Sequence, residues 1–479
     1  MNYVPEQNER SDQQGRFTVN SVLFWNSILL EASRRDFTRG YVNGQQPGPI
    51  RTSRAMAVVH LAIHDAVAFR NQPQAAYLNK KGVAHGLPAL NGPLDDIIAG
   101  AAVRTLKELY PSYELFFDDA VGQVNAAAFN AGEKVGKAVL DIRAGDGSDV
   151  MVSGPQVDKP QYGQHRADPY APGQSRLGPV WGDVTRFTGA PHQMLDPFPG
   201  STHVNDYLQD TDYRADFAEV RDHGSVARRS RNAEQERIGV YWGYDGANNL
   251  GVPPRLYNQV ARVIAQKHTP ALSVPRMAEL FAVINVAMAD AGIDAWHWKY
   301  VYDLWRPVVA IRNQAAPDGD QFWAPLGMPQ TNAPRGTLTP PFPAYPSGHA
   351  TFGAALMQAL RLGLKTSLAP IELADVLAVE SGMSAPIAKE AFTFVSDELN
   401  GISVDSDGSV RPRRPTTFNN FAEPIWENSV SRVYLGVHWR FDGIPRSAAQ
   451  NVGGVPLGLA IGKEAHNFFN QSPSLGGIV

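Results

Sequence analysis

The chain has 479 residues, 43% of them apolar, which is enough for two domains or two fused helical bundles around a well-buried core. A net charge of -4 gives no electrostatic reason to expect nucleic acid or an anionic membrane as partner, so any basic site must be local. With no cysteine, disulfides, thiolate metal sites and thiol nucleophiles are excluded together.

Residues 1–17 are polar, lack the apolar stretch of a secretory signal and are expected to form a flexible N-terminal arm. Helical periodicity then predicts helices at 18–36, at 52–70 with Thr52 or Ser53 as cap, at 93–109 and at 114–143. Residues 145–200 are rich in Gly and Pro without a sustained period, as in a long ordered loop or a connection between bundles. Further helices are predicted at 207–221, 230–243, 254–267, 274–305, 347–365, 370–382, 386–399, 418–435 and 445–468, with a polar excursion over 401–415. The longest apolar runs, Phe281–Ala289 and Val452–Gly462, fall well short of the ~20 residues that span a bilayer, so a soluble protein is expected. The fold class is all-α: an N-terminal bundle over 18–215 and a C-terminal bundle over 216–479, unless the two halves share one core.

Three segments of the second half carry chemistry. Lys299 and Arg306 are seven residues apart, so on an unbroken helix their side chains would lie about 20° from one line. Pro307 discourages helix at Arg306 and can turn its guanidinium inward. Ser347 stands where an N-cap is expected, before the helical run from Ala350, and Gly348 allows a ligand close to the backbone. A helix N-terminus there attracts an anion, and His349 would face it as proton donor or acceptor. Arg432 and His438 converge only if the helix ends between them, for which Gly436 is suited. Asp442, four residues after His438, can hold one ring nitrogen and fix the tautomer.

Two other histidine groups have plainer readings. His60 and His64, at i, i+4 spacing before Asp65, could share a metal, but without a third nearby ligand they are expected to make hydrogen bonds in the core. His297 falls on a different face from Lys299, behind the site.

Taken together, Lys299-x6-Arg306-Pro307, Pro346-Ser347-Gly348-His349 and Ser431-Arg432-x5-His438-x3-Asp442 resemble the three-part signature of type 2 phosphatidic acid phosphatases, bacterial acid phosphatases and vanadium haloperoxidases. The resemblance implies two packed helical bundles of the phosphatase/haloperoxidase type. In them Lys299, Arg306, Ser347, Gly348 and Arg432 bind oxyanion oxygens and His349 is the acid/base, while His438 either ligates vanadium or attacks phosphorus. Trp296, the prolines before Tyr345-Pro346, Glu398-Leu399-Asn400-Gly401 and the residues around His438 are similar to the chloroperoxidase-type haloperoxidases. That branch implies vanadate as cofactor and hydrogen peroxide and a halide ion as substrates, with Lys299 polarising the peroxide and a small organic acceptor for the product. The alternative is an acid phosphatase with a histidine nucleophile. Phe342, five residues before Ser347, and Trp296 lean toward chloride, and Asp245 is expected to pair with Arg432 by the same resemblance.

Overall fold

The computed structural model describes residues 20–83, 85–87, 90–150, 162–197, 208–227, 230–313, 318–332, 338–364, 369–382 and 390–470. The arm expected over 1–17 lies outside the described residues, as do parts of the 145–200 connection. The helices of nine or more residues are α1 (Ser21–Asp36), α2 (Gly48–Asn71), α3 (Leu94–Leu109), α4 (Ala126–Arg143), α5 (Thr211–His223), α6 (Ala233–Tyr241), α7 (Pro253–Lys267), α8 (Val274–Tyr302), α9 (Gly348–Gly363), α10 (Ala422–Tyr434) and α11 (Gly454–Asn470).

The axis of the molecule is α8. From Phe281 to Trp296 every residue is buried, the pattern of a helix covered on all sides, and α2, α9 and α11 pack around it. One apolar cluster runs from Val22 on α1 to Phe469 on α11. The packing of α11 on α9 depends on Gly454, Gly458 and Gly462, one per turn. A Cβ at these positions would lie 2.5 Å from the Ser347 carbonyl oxygen, 2.3 Å from that of Thr351 and 2.5 Å from that of Ala355. Only glycine lets the two backbones approach so closely, and the contact fixes the N-terminal end of α9, which carries Ser347, Gly348 and His349.

The mostly helical expectation holds, with four local corrections. First, α2 starts at Gly48, with Pro47 at the cap and Pro49 in the first turn. Proline suits that turn because its missing N–H has no helical acceptor there, so Thr52 and Ser53 lie inside the helix and donate to the Gln46 and Ile50 carbonyls instead. Second, the helix expected over 114–143 breaks at Gly122, whose φ is 66°, and α4 restarts with Asn125 accepting from the Ala128 N–H. Third, α8 stops at Tyr302 because Asp303 adopts a left-handed conformation with φ 51°.

The fourth correction is a change of type. The described part of the segment expected as helix 386–399 is strand β1 (Phe392–Asn400), paired antiparallel with β2 (Arg413–Phe418). Its inward positions are Phe392, Phe394, Ser396 and Glu398. Two of the four are polar, which hid the period of two from a reading based on hydrophobicity.

Candidate functional site

The Lys-x6-Arg pair does not share a helix face, so the alignment expected from spacing does not occur. After the left-handed Asp303, Arg306 is extended with ψ 153° and caps a short helix beginning at Pro307, as the proline requires. Its guanidinium points inward: Nε donates to the Phe342 carbonyl at 2.8 Å, and Nη1 to the Val437 carbonyl at 2.8 Å and to His438 Nε2 at 2.9 Å. Lys299, still on α8, spends its ammonium donors on the loop before α9, on the carbonyls of Pro343 (2.8 Å), Ala344 (3.1 Å) and Pro346 (2.5 Å). Arg432, on α10, donates from Nη2 to both carboxylate oxygens of Asp245 at 2.9 Å, the pairing expected for those two residues. Gly436, with φ 71°, ends the α10 run and lets His438 turn back toward Arg306.

Donors are left over. Arg306 Nη2 and Arg432 Nε and Nη1 are buried without a hydrogen-bond partner. Unpaired buried guanidinium donors cost stability unless an anion meets them. Arg432 lines one cavity with His438 and with Gly348 and His349 at the start of α9, and Arg306 adjoins it through His438. Ser347 is the N-cap there and accepts from the Ala350 N–H at 3.5 Å, an end of the helix that itself favours negative charge. Burial and the neighbouring cations push Lys299 well below its ordinary pKa and Arg306 down to about 9, the mutual repulsion of cations that an anion between them would offset.

The two histidines have assignable tautomers. The Arg306 N–H can only donate, so His438 Nε2 accepts and its proton sits on Nδ1, which donates to Asp442 Oδ2 at 2.8 Å. Trp439 N–H donates to the same oxygen at 3.0 Å. Burial, then Arg306, hold His438 well below its ordinary pKa, and burial pushes Asp442 up to about 8. Both shifts favour a neutral imidazole with its Nε2 lone pair facing the cations. His349 Nε2 donates to the Gly243 carbonyl at 2.8 Å, which leaves Nδ1 as the basic nitrogen; burial, then Arg432, bring its pKa down to about 3.

Gly243, Tyr244 and Asp245 therefore act as a strap. Its first residue holds His349, its third holds Arg432, and its second, left-handed at φ 47°, donates its N–H to Glu398 at 2.8 Å. Glu398 is buried and paired with Arg411 at 2.6 Å and with the Thr331 hydroxyl. Neither Arg411 nor Thr331 belongs to any of the sequence motifs, and Glu398 enters only through the Glu398-Leu399-Asn400-Gly401 stretch, with no role implied there.

An apolar wall closes the other side. Trp296 and Phe342 pack with centroids 4.7 Å apart, and the Lys299 ammonium lies 5.0 Å from the Phe342 ring and 5.5 Å from the Trp296 ring. The Trp296 indole N–H is fixed by the Leu177 carbonyl at 3.0 Å. Trp296, Phe342 and Leu177, with His349, Arg432 and His438, line a cavity of about 130 Å³.

The other histidines keep their plainer roles. His60 is hydrogen-bonded to Asn26, and His64 to Asp65; among the described residues no cluster of three or more His, Asp or Glu side chains is placed to share a metal ion. His297 stacks on His192 at 4.0 Å, against Gly182.

Comparisons with known proteins agree with this geometry. Residues 5–141 match the family model described as the vanadium chloroperoxidase N-terminal domain, and residues 279–473 the one described as the VCPO second helical-bundle domain. A vanadium chloroperoxidase of Curvularia inaequalis is 32% identical over 90% of this chain and 80% of its own length. Among solved structures, a bacterial vanadium-dependent iodoperoxidase superposes with a TM-score of 0.62 at 17% identity, covering 93% of this chain and 95% of its own. The apo form of a bacterial vanadium-dependent chloroperoxidase superposes with 0.59 at 16%, covering 89% and 95%; these two likenesses speak for the fold. The match at both ends of the chain, the identity to the Curvularia enzyme and the fold together show that the chain belongs to the vanadium chloroperoxidase family.

Proposed function

We propose that this protein is a vanadate-dependent haloperoxidase that uses hydrogen peroxide to oxidise chloride and bromide to hypohalous acid. The observation that carries the reading is the set of unpaired buried donors on Arg306 and Arg432 beside His438, whose Nε2 lone pair is turned toward those cations and accepts from Arg306 Nη1. That set fits an oxyanion whose central atom takes one nitrogen ligand. When bound, vanadate supplies an electrophilic, oxygen-transferring centre that stays at the +5 state.

The chain's own residues do the rest. Arg306, Arg432, Lys299, Ser347 and Gly348 balance the anion's charge and fix its orientation. His438 offers Nε2 as the sole protein ligand, while Asp442 holds its other nitrogen and fixes its tautomer. His349 takes up or releases the proton at Nδ1, since Nε2 is committed to Gly243. Asp245 keeps Arg432 aimed, and Trp296 and Phe342 exclude water, which strengthens the pull of the Lys299 charge on the peroxide. All of these residues lie in the segment that we assign to a C-terminal bundle, 216–479. A small organic molecule is the final acceptor of the oxidised halogen.

A neutral His438 could also attack a phosphate ester, so the deciding experiment runs both assays on one preparation. Vanadate-loaded protein should halogenate monochlorodimedone with peroxide and bromide or chloride. Hydrolysis of a phosphate monoester without any halogenation would overturn the reading in favour of a histidine-nucleophile phosphatase.

A further inference from the structure

The cavity over the cations is walled almost wholly by apolar groups, among them Phe37, Pro49, Leu177, Val252 and Pro341, and one of its lining residues is Met328. Met328 is partly exposed, and its backbone N–H is held by the Leu338 carbonyl at 3.1 Å. The other described methionines fall into two groups. Met56, Met277, Met288 and Met357 are buried in the core, and Met194 stands on the surface with 71% of its area exposed. The protein thus offers an oxidant two accessible thioethers among its described residues, one inside the reaction cavity and one in bulk solvent.

We propose that Met328 is a self-modification site, oxidised to the sulfoxide by hypohalous acid made in the cavity before that product escapes. The inference rests on the function proposed above. The sulfur lone pair attacks the halogen, the halogen–oxygen bond breaks and hydroxide leaves. Water then adds to sulfur and displaces halide, so sulfur loses two electrons, halogen goes from +1 to -1 and one proton is released. Thioethers undergo this step readily, and the sulfoxide is polar where methionine was apolar. Confinement favours the inner site: one molecule in about 130 Å³ is at on the order of 10 M, far above any concentration it reaches in solution.

The test compares Met328 with Met194 in the same molecules by peptide mass spectrometry. Vanadate-loaded protein is supplied with peroxide and bromide, alone and with excess free methionine as a scavenger in solution. A second sample receives an equal amount of hypobromite added from outside, and a third peroxide without halide. Turnover should give a Met328-to-Met194 oxidation ratio at least ~10-fold above that from added hypobromite. The scavenger should protect Met194 and leave Met328 oxidised. Equal ratios in the two samples, or equal protection of both residues, would overturn the proposal. So would the same Met328 oxidation by peroxide without halide. Monochlorodimedone halogenation, measured on the same preparation, separates this failure from that of the haloperoxidase reading: if it proceeds and Met328 is spared, only the self-modification is wrong.

Discussion

Replacing Arg432 with lysine tests the anion cradle without removing its charge. In the wild type one nitrogen of the guanidinium holds both oxygens of Asp245 at 2.9 Å, while Nε and Nη1 are buried with no partner. A lysine at 432 can keep the Asp245 pair but cannot also present two further donors in a fixed plane. Each charge-assisted hydrogen bond to an anion contributes about 1.5–3 kcal/mol. The loss of two, taken at the low end because the charge remains, is about 3 kcal/mol, or ~100-fold in Kd. Titration calorimetry with inorganic phosphate, which shares the tetrahedral shape of vanadate, measures this directly and needs no turnover. The control is Arg262→Lys, a buried arginine that donates instead to the Leu23 carbonyl and Asn26; it should lower Tm and leave phosphate affinity alone. A phosphate Kd for Arg432→Lys within ~5-fold of wild type would refute the inference that the unpaired donors face an anion.

Four other outcomes follow from the same geometry. His438→Ala should abolish halide oxidation; near wild-type bromide oxidation with vanadate bound would show that another group is the ligand. Phe342→His should lower chlorination at least ~10-fold relative to bromination, a differential barrier of about 1.4 kcal/mol, and an unchanged ratio in one preparation would remove the aromatic wall from halide selection. Glu398→Ala frees the Tyr244 N–H and should weaken phosphate ~10-fold, with Glu398→Gln, which keeps an acceptor for that N–H, recovering most of the loss. Equal losses in the two variants would mean that Glu398 supports the fold and not the strap. Finally, His349 is held neutral with its pKa pushed down to about 3, so unfolding takes up a proton below the ordinary histidine value. The anion-free protein should therefore lose stability as pH falls from about 6.5, by up to roughly 1.4 kcal/mol per unit. Urea midpoints from pH 7 to pH 5 should fall more steeply for wild type than for His349→Asn, and parallel curves would contradict the assignment.

What could be read from the sequence is what is local in it. Ser347 as a helix cap, Gly436 as the end of a helix and His438 four residues before Asp442 are each short-range patterns with a single physical meaning, and the structure keeps all three. Lys299 and Arg306 reach the site by a different route from the one their spacing suggested. The helix ends at a left-handed Asp303, and aspartate adopts that conformation often enough to be tolerated but too seldom to be expected. Strand β1 is concealed in the sequence because its inward side chains Ser396 and Glu398 are polar, so no hydrophobic alternation announces it. They point inward because of partners far away in the chain: Ser396 donates to the Tyr241 carbonyl, and Glu398 receives the Tyr244 N–H. That pairing gives the strand its place in the mechanism. A carboxylate on β1 fixes the middle of the Gly243–Asp245 strap, and the strap fixes the tautomer of His349 and the direction of Arg432. The residues that meet the anion are thus legible in sequence motifs, whereas their protonation states and aim are set by a buried polar network whose members are about 150 residues apart.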